Sequence, residues 1–174
     1  PPAQPLTAQS AAVLPCAFAE KYNKVLRKIG DHHTEKQNTG PVALDGMAEE
    51  LGNMYTTTLH VLNSAIVKLK NLTEATTVYR GMSNTCLPES LTTPDRLGVR
   101  GGVEFGFMSC SRSREEAMRY ANHKEGNEKI LLEMSMGMID RGADLSWLSQ
   151  YPHEKEVLFA PLRGIEITSD GWDN

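Results

Sequence analysis

The sequence predicts an α+β fold, a helical N-terminal part packed on a mixed, mainly antiparallel β-sheet, and three observations predict it. Apolar residues recur at threes and fours up to about residue 70. From Thr76 onward, short extended runs separated by Gly and Pro take over. Helices come first and strands later, which is not the alternation that builds a parallel sheet. The 174 residues, 40% of them hydrophobic, are enough to bury about two thirds of the unfolded surface in one core. A single domain over 1–174 is therefore expected: a flexible lead-in over 1–15, a mainly helical part over 16–70 and a mainly β part over 76–168.

Pro1 to Pro15 is rich in Pro, Ala and Gln and carries no periodic pattern. Phe18, Tyr22, Val25, Leu26 and Ile29 then mark a helix that is expected to end at Gly30. After a polar loop, Met47, Leu51, Met54, Tyr55, Leu59, Leu62, Ile66 and Leu69 mark one long amphipathic helix, or two short ones broken near Thr56 to Thr58. Leu59, Leu62, Ile66 and Leu69 are read as core. Strands are expected at Thr77 to Met82, Val103 to Ser109, Ile130 to Met136, Glu156 to Phe159 and Gly164 to Thr168. Between them, Ser113-Arg114-Glu115-Glu116 is a capping box that opens a helix running to about Asn122. Gly98, Gly101, Gly102 and Gly106 are read as loop flexibility before the second strand.

Composition excludes several classes. The net charge of -4, from 22 acidic against 18 basic residues without a block of like charges, argues against a nucleic-acid partner. No apolar run approaches the roughly 18 residues of a membrane span, and the N-terminal stretch lacks the basic region of a secretory signal. A soluble protein is expected, either cytoplasmic or a secreted or delivered effector, and acting as a monomer. The missing initial methionine leaves open that the chain is a fragment of a larger protein. Cys16, Cys86 and Cys110 are odd in number and scattered, so neither a disulfide framework nor a zinc cluster is expected. His32, His33, His60, His123 and His153 have no ligand spacing, and no metal is expected.

Three short segments carry residues suited to chemistry. In Val78-Tyr79-Arg80-Gly81 a strand delivers a planar, permanent cation beside a residue without a side chain, a pair able to grip a diphosphate and admit a ligand close to the backbone. A solvated strand arginine before a turn fits as well. In Phe107-Met108-Ser109-Cys110-Ser111 a period of two puts both hydroxyls on one strand face, able to orient a neighbouring group. The same serines would equally close a strand. In Glu154-Lys155-Glu156-Val157-Leu158-Phe159, extended backbone would put both carboxylates on one face, about 6 to 7 Å apart. Such a pair is electrostatically unfavourable, and either discourages edge pairing or serves two different cationic targets.

In this order, Arg80-Gly81, Ser109-Cys110-Ser111 and Glu154-Lys155-Glu156 resemble the Arg, Ser-x-Ser and Glu-x-Glu motifs of the arginine-specific mono-ADP-ribosyltransferases. The resemblance covers roughly Val78 to Thr168 and includes the capped helix after the serines. It also includes Trp147 to Pro161, which is similar to the family's substrate loop. Cys110 stands where the family usually has threonine. The resemblance implies a β-sheet core of the ADP-ribosyltransferase type and NAD+ as co-substrate, with no prosthetic group. It implies that Glu156 holds the ribose hydroxyl and stabilises the positive charge that develops there, with Ser109 fixing its rotamer. Arg80 would grip the phosphates, the Gly81 backbone would meet the nicotinamide amide, and Ser111 would join the same cofactor-binding set. Tyr120 stands about where relatives place an aromatic ring against nicotinamide. His123 replaces an arginine common in relatives.

Glu154 implies the acceptor class, because a guanidinium with a pKa above about 12 needs a carboxylate to align it and take its proton. The expected function is transfer of ADP-ribose from NAD+ to arginine on a target protein, releasing nicotinamide, in a toxin-like transferase. Tyr151 and Trp147 precede Glu154 in a loop able to contact that protein, although hydrophobic plugging of the loop is the preferred reading of Trp147. The alternatives are an NAD+ glycohydrolase with water as acceptor, and an inactive module that binds NAD+ or a protein.

Overall fold

The computed structural model describes residues 13–35, 52–83, 86–122 and 129–169, with the side chains of the first segment described over 20–31. Residues Pro1–His60 and Val61–Asn174 form two units. Part of the pattern assigned to the second helix, Met47 to Leu51, lies outside the described residues, as does His123.

In the first unit, α1 (Val13–Glu35) runs straight past Gly30, which is buried inside it. Glycine costs a helix interior about 1 kcal/mol, but it ends a helix only where the chain turns left-handed, and Gly30 does not. Tyr22 meets Tyr55 edge to face, with centroids 5.1 Å apart. Tyr55 has a φ of 50°, and its amide donates to Asn53 Oδ1 at 2.8 Å. That left-handed residue stops a helix from extending backward, so the helix α2 (Thr56–Leu69), whose residues from Val61 onward belong to the second unit, begins immediately after it. Of the stripe read as core, Ile66 is 3% exposed whereas Leu62 is 36% exposed. The Leu62 assignment is thus corrected: periodicity marks one apolar stripe and does not say how far a partner covers it.

In the second unit, a 3-10 turn (Lys70–Leu72) leads into β1 (Thr77–Ser83). The short α3 (Glu89–Thr92), β2 (Gly101–Glu104), β3 (Met108–Ser111) and α4 (Arg114–Ala121) follow. After them come β4 (Lys129–Ser135), β5 (Ala143–Asp144), a second 3-10 turn (Pro152–Glu154), β6 (Glu156–Phe159) and β7 (Arg163–Glu166). Five strands form one sheet in the order β4-β1-β3-β6-β5, and β2 with β7 forms a separate ribbon. Among the described residues every pairing is antiparallel.

The run expected as one strand, Val103 to Ser109, is two strands in two sheets. The break lies at Gly106, whose amide donates to the Glu104 carboxylate at 2.8 Å, closing a local turn. Gly101 and Gly102, expected in a loop, are strand residues, and a Cβ on Gly101 would stand 2.7 Å from the carbonyl oxygen of Ile165. Close strand approach, not flexibility, explains that glycine.

Val78, Met108, Cys110, Met136, Val157 and Phe159 form the core, with Met134 and Ile165 packed against it. Strand alternation sends Gly81 to the face of β1 opposite Val78, and α4 lies there. A Cβ on Gly81 would stand 1.8 Å from the Ala117 carbonyl oxygen. Ala117 and Ala121 are 2% and 1% exposed, so three small residues in register let helix and strand backbones touch.

Candidate active site

The site forms where the central sheet stops pairing regularly. β1 and β4 are paired along seven positions, from Thr77 opposite Ser135 to Ser83 opposite Lys129. β1 and β3 meet at one, Tyr79 opposite Ser111. Where the next pair would fall, Arg80 bridges with its side chain, donating from Nη1 to the Ser109 carbonyl oxygen at 2.9 Å.

β3 and β6 are fully paired, with Ser109 opposite Leu158 and Ser111 opposite Glu156. Ser109 and Glu156 are therefore diagonal neighbours on one face, within side-chain reach. Ser109 Oγ donates to Glu156 Oε1 at 2.7 Å, the short distance of a hydroxyl bound to a carboxylate. Cys110 points the other way, into the core, and burial first of all pushes its thiol up to about 12, against the opposing pull of the Arg80 cation. A protonated, buried thiol is a packing group, not a nucleophile.

Glu154 corrects the extended reading of the acidic pair. It belongs to the Pro152–Glu154 turn, and Lys155 after it is left-handed at φ 47° and ψ 47°. The pleat that would have aligned Glu154 with Glu156 is interrupted between them. Glu154 is fixed instead by hydrogen bonds: its carbonyl accepts from Ser111 Oγ at 2.7 Å, and its Oε1 accepts from the Tyr120 hydroxyl at 2.7 Å. Each carboxylate thus has its own hydroxyl donor.

Sequence reasoning missed the tyrosine-to-glutamate contact, because Tyr120 and Glu154 lie 34 residues apart. It also missed β5, which is only two residues long. Asp144 there anchors the start of the loop that leads to Glu154. Its amide donates to Thr73 Oγ1 at 2.9 Å, its Oδ1 accepts from the Ser146 amide at 2.9 Å, and its Oδ2 lies 3.3 Å from Arg112 Nη2. Burial works against the Asp144 charge, but the Ser146 hydrogen bonds and Arg112 outweigh it and hold the carboxyl below its usual range. Trp147 is 70% exposed, tethered through Nε1 to the Asp144 carbonyl at 3.1 Å. Plugging of the loop by this ring is therefore ruled out. Tyr151 is half-buried, with its ring edge-on to His153.

Arg80, Ser109, Ser111, Tyr120, Glu154 and Glu156 are joined by these contacts in one place. Gly81 adjoins them through Arg80, and its missing side chain is demanded by α4, whatever its backbone does for a ligand. Among the described residues no group of three or more His, Cys, Asp or Glu is placed to hold a metal ion, and no helix is long and apolar enough to cross a membrane.

A family model described as ADP-ribosyltransferase exoenzyme matches residues 19–169. The chain belongs to this family. Among solved structures, the ADP-ribosyltransferase HopU1 of Pseudomonas syringae pv. tomato DC3000 is similar at 25% identity and a TM-score of 0.58, over 86% of this chain and 57% of that one. The ADP-ribosyltransferase Vis in complex with agmatine matches at 22% identity and a TM-score of 0.58, over 87% of this chain and 61% of that one. Vis toxin from Vibrio splendidus matches again at 21% identity and a TM-score of 0.50, over 95% and 81%. This family member thus spans less than two thirds of the first two structures it matches. No curated protein matches it significantly. Helices together with an antiparallel sheet are the α+β architecture of the ADP-ribosyltransferase fold.

Proposed function

We propose that the chain transfers ADP-ribose from NAD+ to arginine side chains of a target protein and releases nicotinamide. The observation that carries this reading is the Ser109 to Glu156 hydrogen bond, 2.7 Å long, beside an Arg80 guanidinium seated on the Ser109 backbone. An oriented carboxylate and a phosphate-binding cation suit cleavage of the bond between nicotinamide and ribose in a dinucleotide held by its diphosphate. As the bond between nicotinamide and ribose breaks, positive charge spreads over the ribose, and a carboxylate held in advance stabilises it without reorganising. Arg80 holds the diphosphate, with Gly81, Ser111 and Tyr120 completing the NAD+ site.

Glu154 supports arginine as acceptor. A guanidino nitrogen forms the new bond to the ribose carbon and loses a proton, which Glu154 accepts. Vis, solved in complex with agmatine, holds a guanidino compound on a related fold. Trp147 and Tyr151, on the loop before Glu154, contact the target protein.

The test is incubation of the protein with labelled NAD+ and a cell lysate, alongside Glu156→Gln. Label should pass to protein with the native chain, fail to do so with the variant, and have the chemical lability of an arginine linkage. Label stable under those conditions, or equal with the variant, contradicts the proposal.

A further inference from the structure

Glu154 is clasped by the two ends of one helix. At the start of α4, Ser113 caps the helix by accepting from the Glu116 amide. The Ser113 amide donates to Ser111 Oγ at 2.9 Å, and that same hydroxyl donates to the Glu154 carbonyl at 2.7 Å. In the last turn of α4, the Tyr120 hydroxyl donates to Glu154 Oε1 at 2.7 Å. The helix is itself seated against β1 through Ala117, Ala121 and Gly81. Because left-handed Lys155 separates Glu154 from β6, the position of the Glu154 carboxylate is set by α4 and not by the pleat of the catalytic strand.

We propose that Tyr120 is a positioning residue for the acceptor, its hydroxyl holding Oε1 of Glu154 so that Oε2 is presented to the incoming guanidinium. The inference rests on the reading of Glu154 as the acceptor carboxylate. A carboxylate has two oxygens and about four lone-pair sites, so one phenolic donor leaves the second oxygen free for a guanidinium N–H. Without the phenol, a half-exposed glutamate samples its rotamers, and each encounter with the acceptor must order it again. Tyr120 is itself 51% exposed, and in the proposed function it also belongs to the NAD+ site. One side chain then links the donor site to the acceptor site.

Tyr120→Phe removes the hydroxyl and keeps the ring, whereas Tyr120→Leu removes both. Steady-state rates are measured with NAD+ and agmatine as a small guanidino acceptor, and nicotinamide release without agmatine is measured in parallel. In Tyr120→Phe the KM for agmatine should rise about three- to tenfold, the scale of one partly exposed hydrogen bond to a charged group. That rise should exceed any change in the KM for NAD+. Tyr120→Leu should lower NAD+ use further than Tyr120→Phe does. An unchanged agmatine KM in Tyr120→Phe, or equal rises for agmatine and NAD+, overturns the inference. If the native protein hydrolyses NAD+ but agmatine neither accelerates nicotinamide release nor becomes modified, the arginine reading itself falls, and this inference with it.

Discussion

Ser109 and Glu156 act as a unit, because the hydroxyl hydrogen bond at 2.7 Å fixes which way a flexible glutamate points. Glu156→Gln keeps the size and a hydrogen-bonding oxygen but removes the charge that, in the proposed function, stabilises the developing cation. Nicotinamide release should fall roughly a hundredfold or more, on the scale of losing one preorganised electrostatic group, while NAD+ binding measured by calorimetry persists. A loss of binding that matches the loss of turnover would assign Glu156 to ground-state binding instead. Cys110, next to Ser109, allows a prediction of the opposite kind. Its thiol ionises at about 12 in the folded state against its usual 9.0. A pKa raised on folding contributes stability that is complete below pH 9.0 and is lost as pH rises through about 12. The urea midpoint should therefore fall over that window more steeply in the native protein than in Cys110→Val, which has no thiol to ionise. Parallel curves would place the thiol in water.

Packing of α4 on β1 decides whether those residues meet. Gly81→Ala would drive a methyl group into the Ala117 backbone, which cannot swing aside as a long side chain can. A loss of about 1 to 3 kcal/mol or more is expected from overpacking, read from denaturant unfolding. Unchanged stability would mean that α4 is not seated where it is described. At this scale the sequence was readable wherever a local rule governs. The capping box at Ser113 to Glu116 opens α4, and β1, β4 and β6 lie within a residue or so of their expected bounds, because alternation and caps are properties of short windows. What failed depended on partners distant in sequence. The acidic pair was read as extended because nothing in Glu154-Lys155-Glu156 announces a left-handed lysine, and the strand through Val103 to Ser109 was joined across a turn that the Glu104 side chain closes. Gly81 was legible as a special position, but the demand that α4 makes on it was not, because Ala117 lies far away in sequence.

Across the molecule, three motifs from separate stretches of chain arrive at one opening in the sheet, and their order in the sequence was enough to suggest it. The contacts themselves were not readable, since Arg80 to Ser109, Ser109 to Glu156 and Tyr120 to Glu154 span 29, 47 and 34 residues. The proposed division of labour assigns the ribose cation to Glu156 and the acceptor to Glu154. Nicotinamide release from NAD+, measured with and without a guanidino acceptor in the native protein and in Glu154→Gln, tests that division most directly. The native protein should be accelerated by the acceptor, and Glu154→Gln should retain measurable hydrolysis with no acceleration. Equal acceleration of both proteins, or loss of hydrolysis in Glu154→Gln as complete as the loss of transfer, would contradict it.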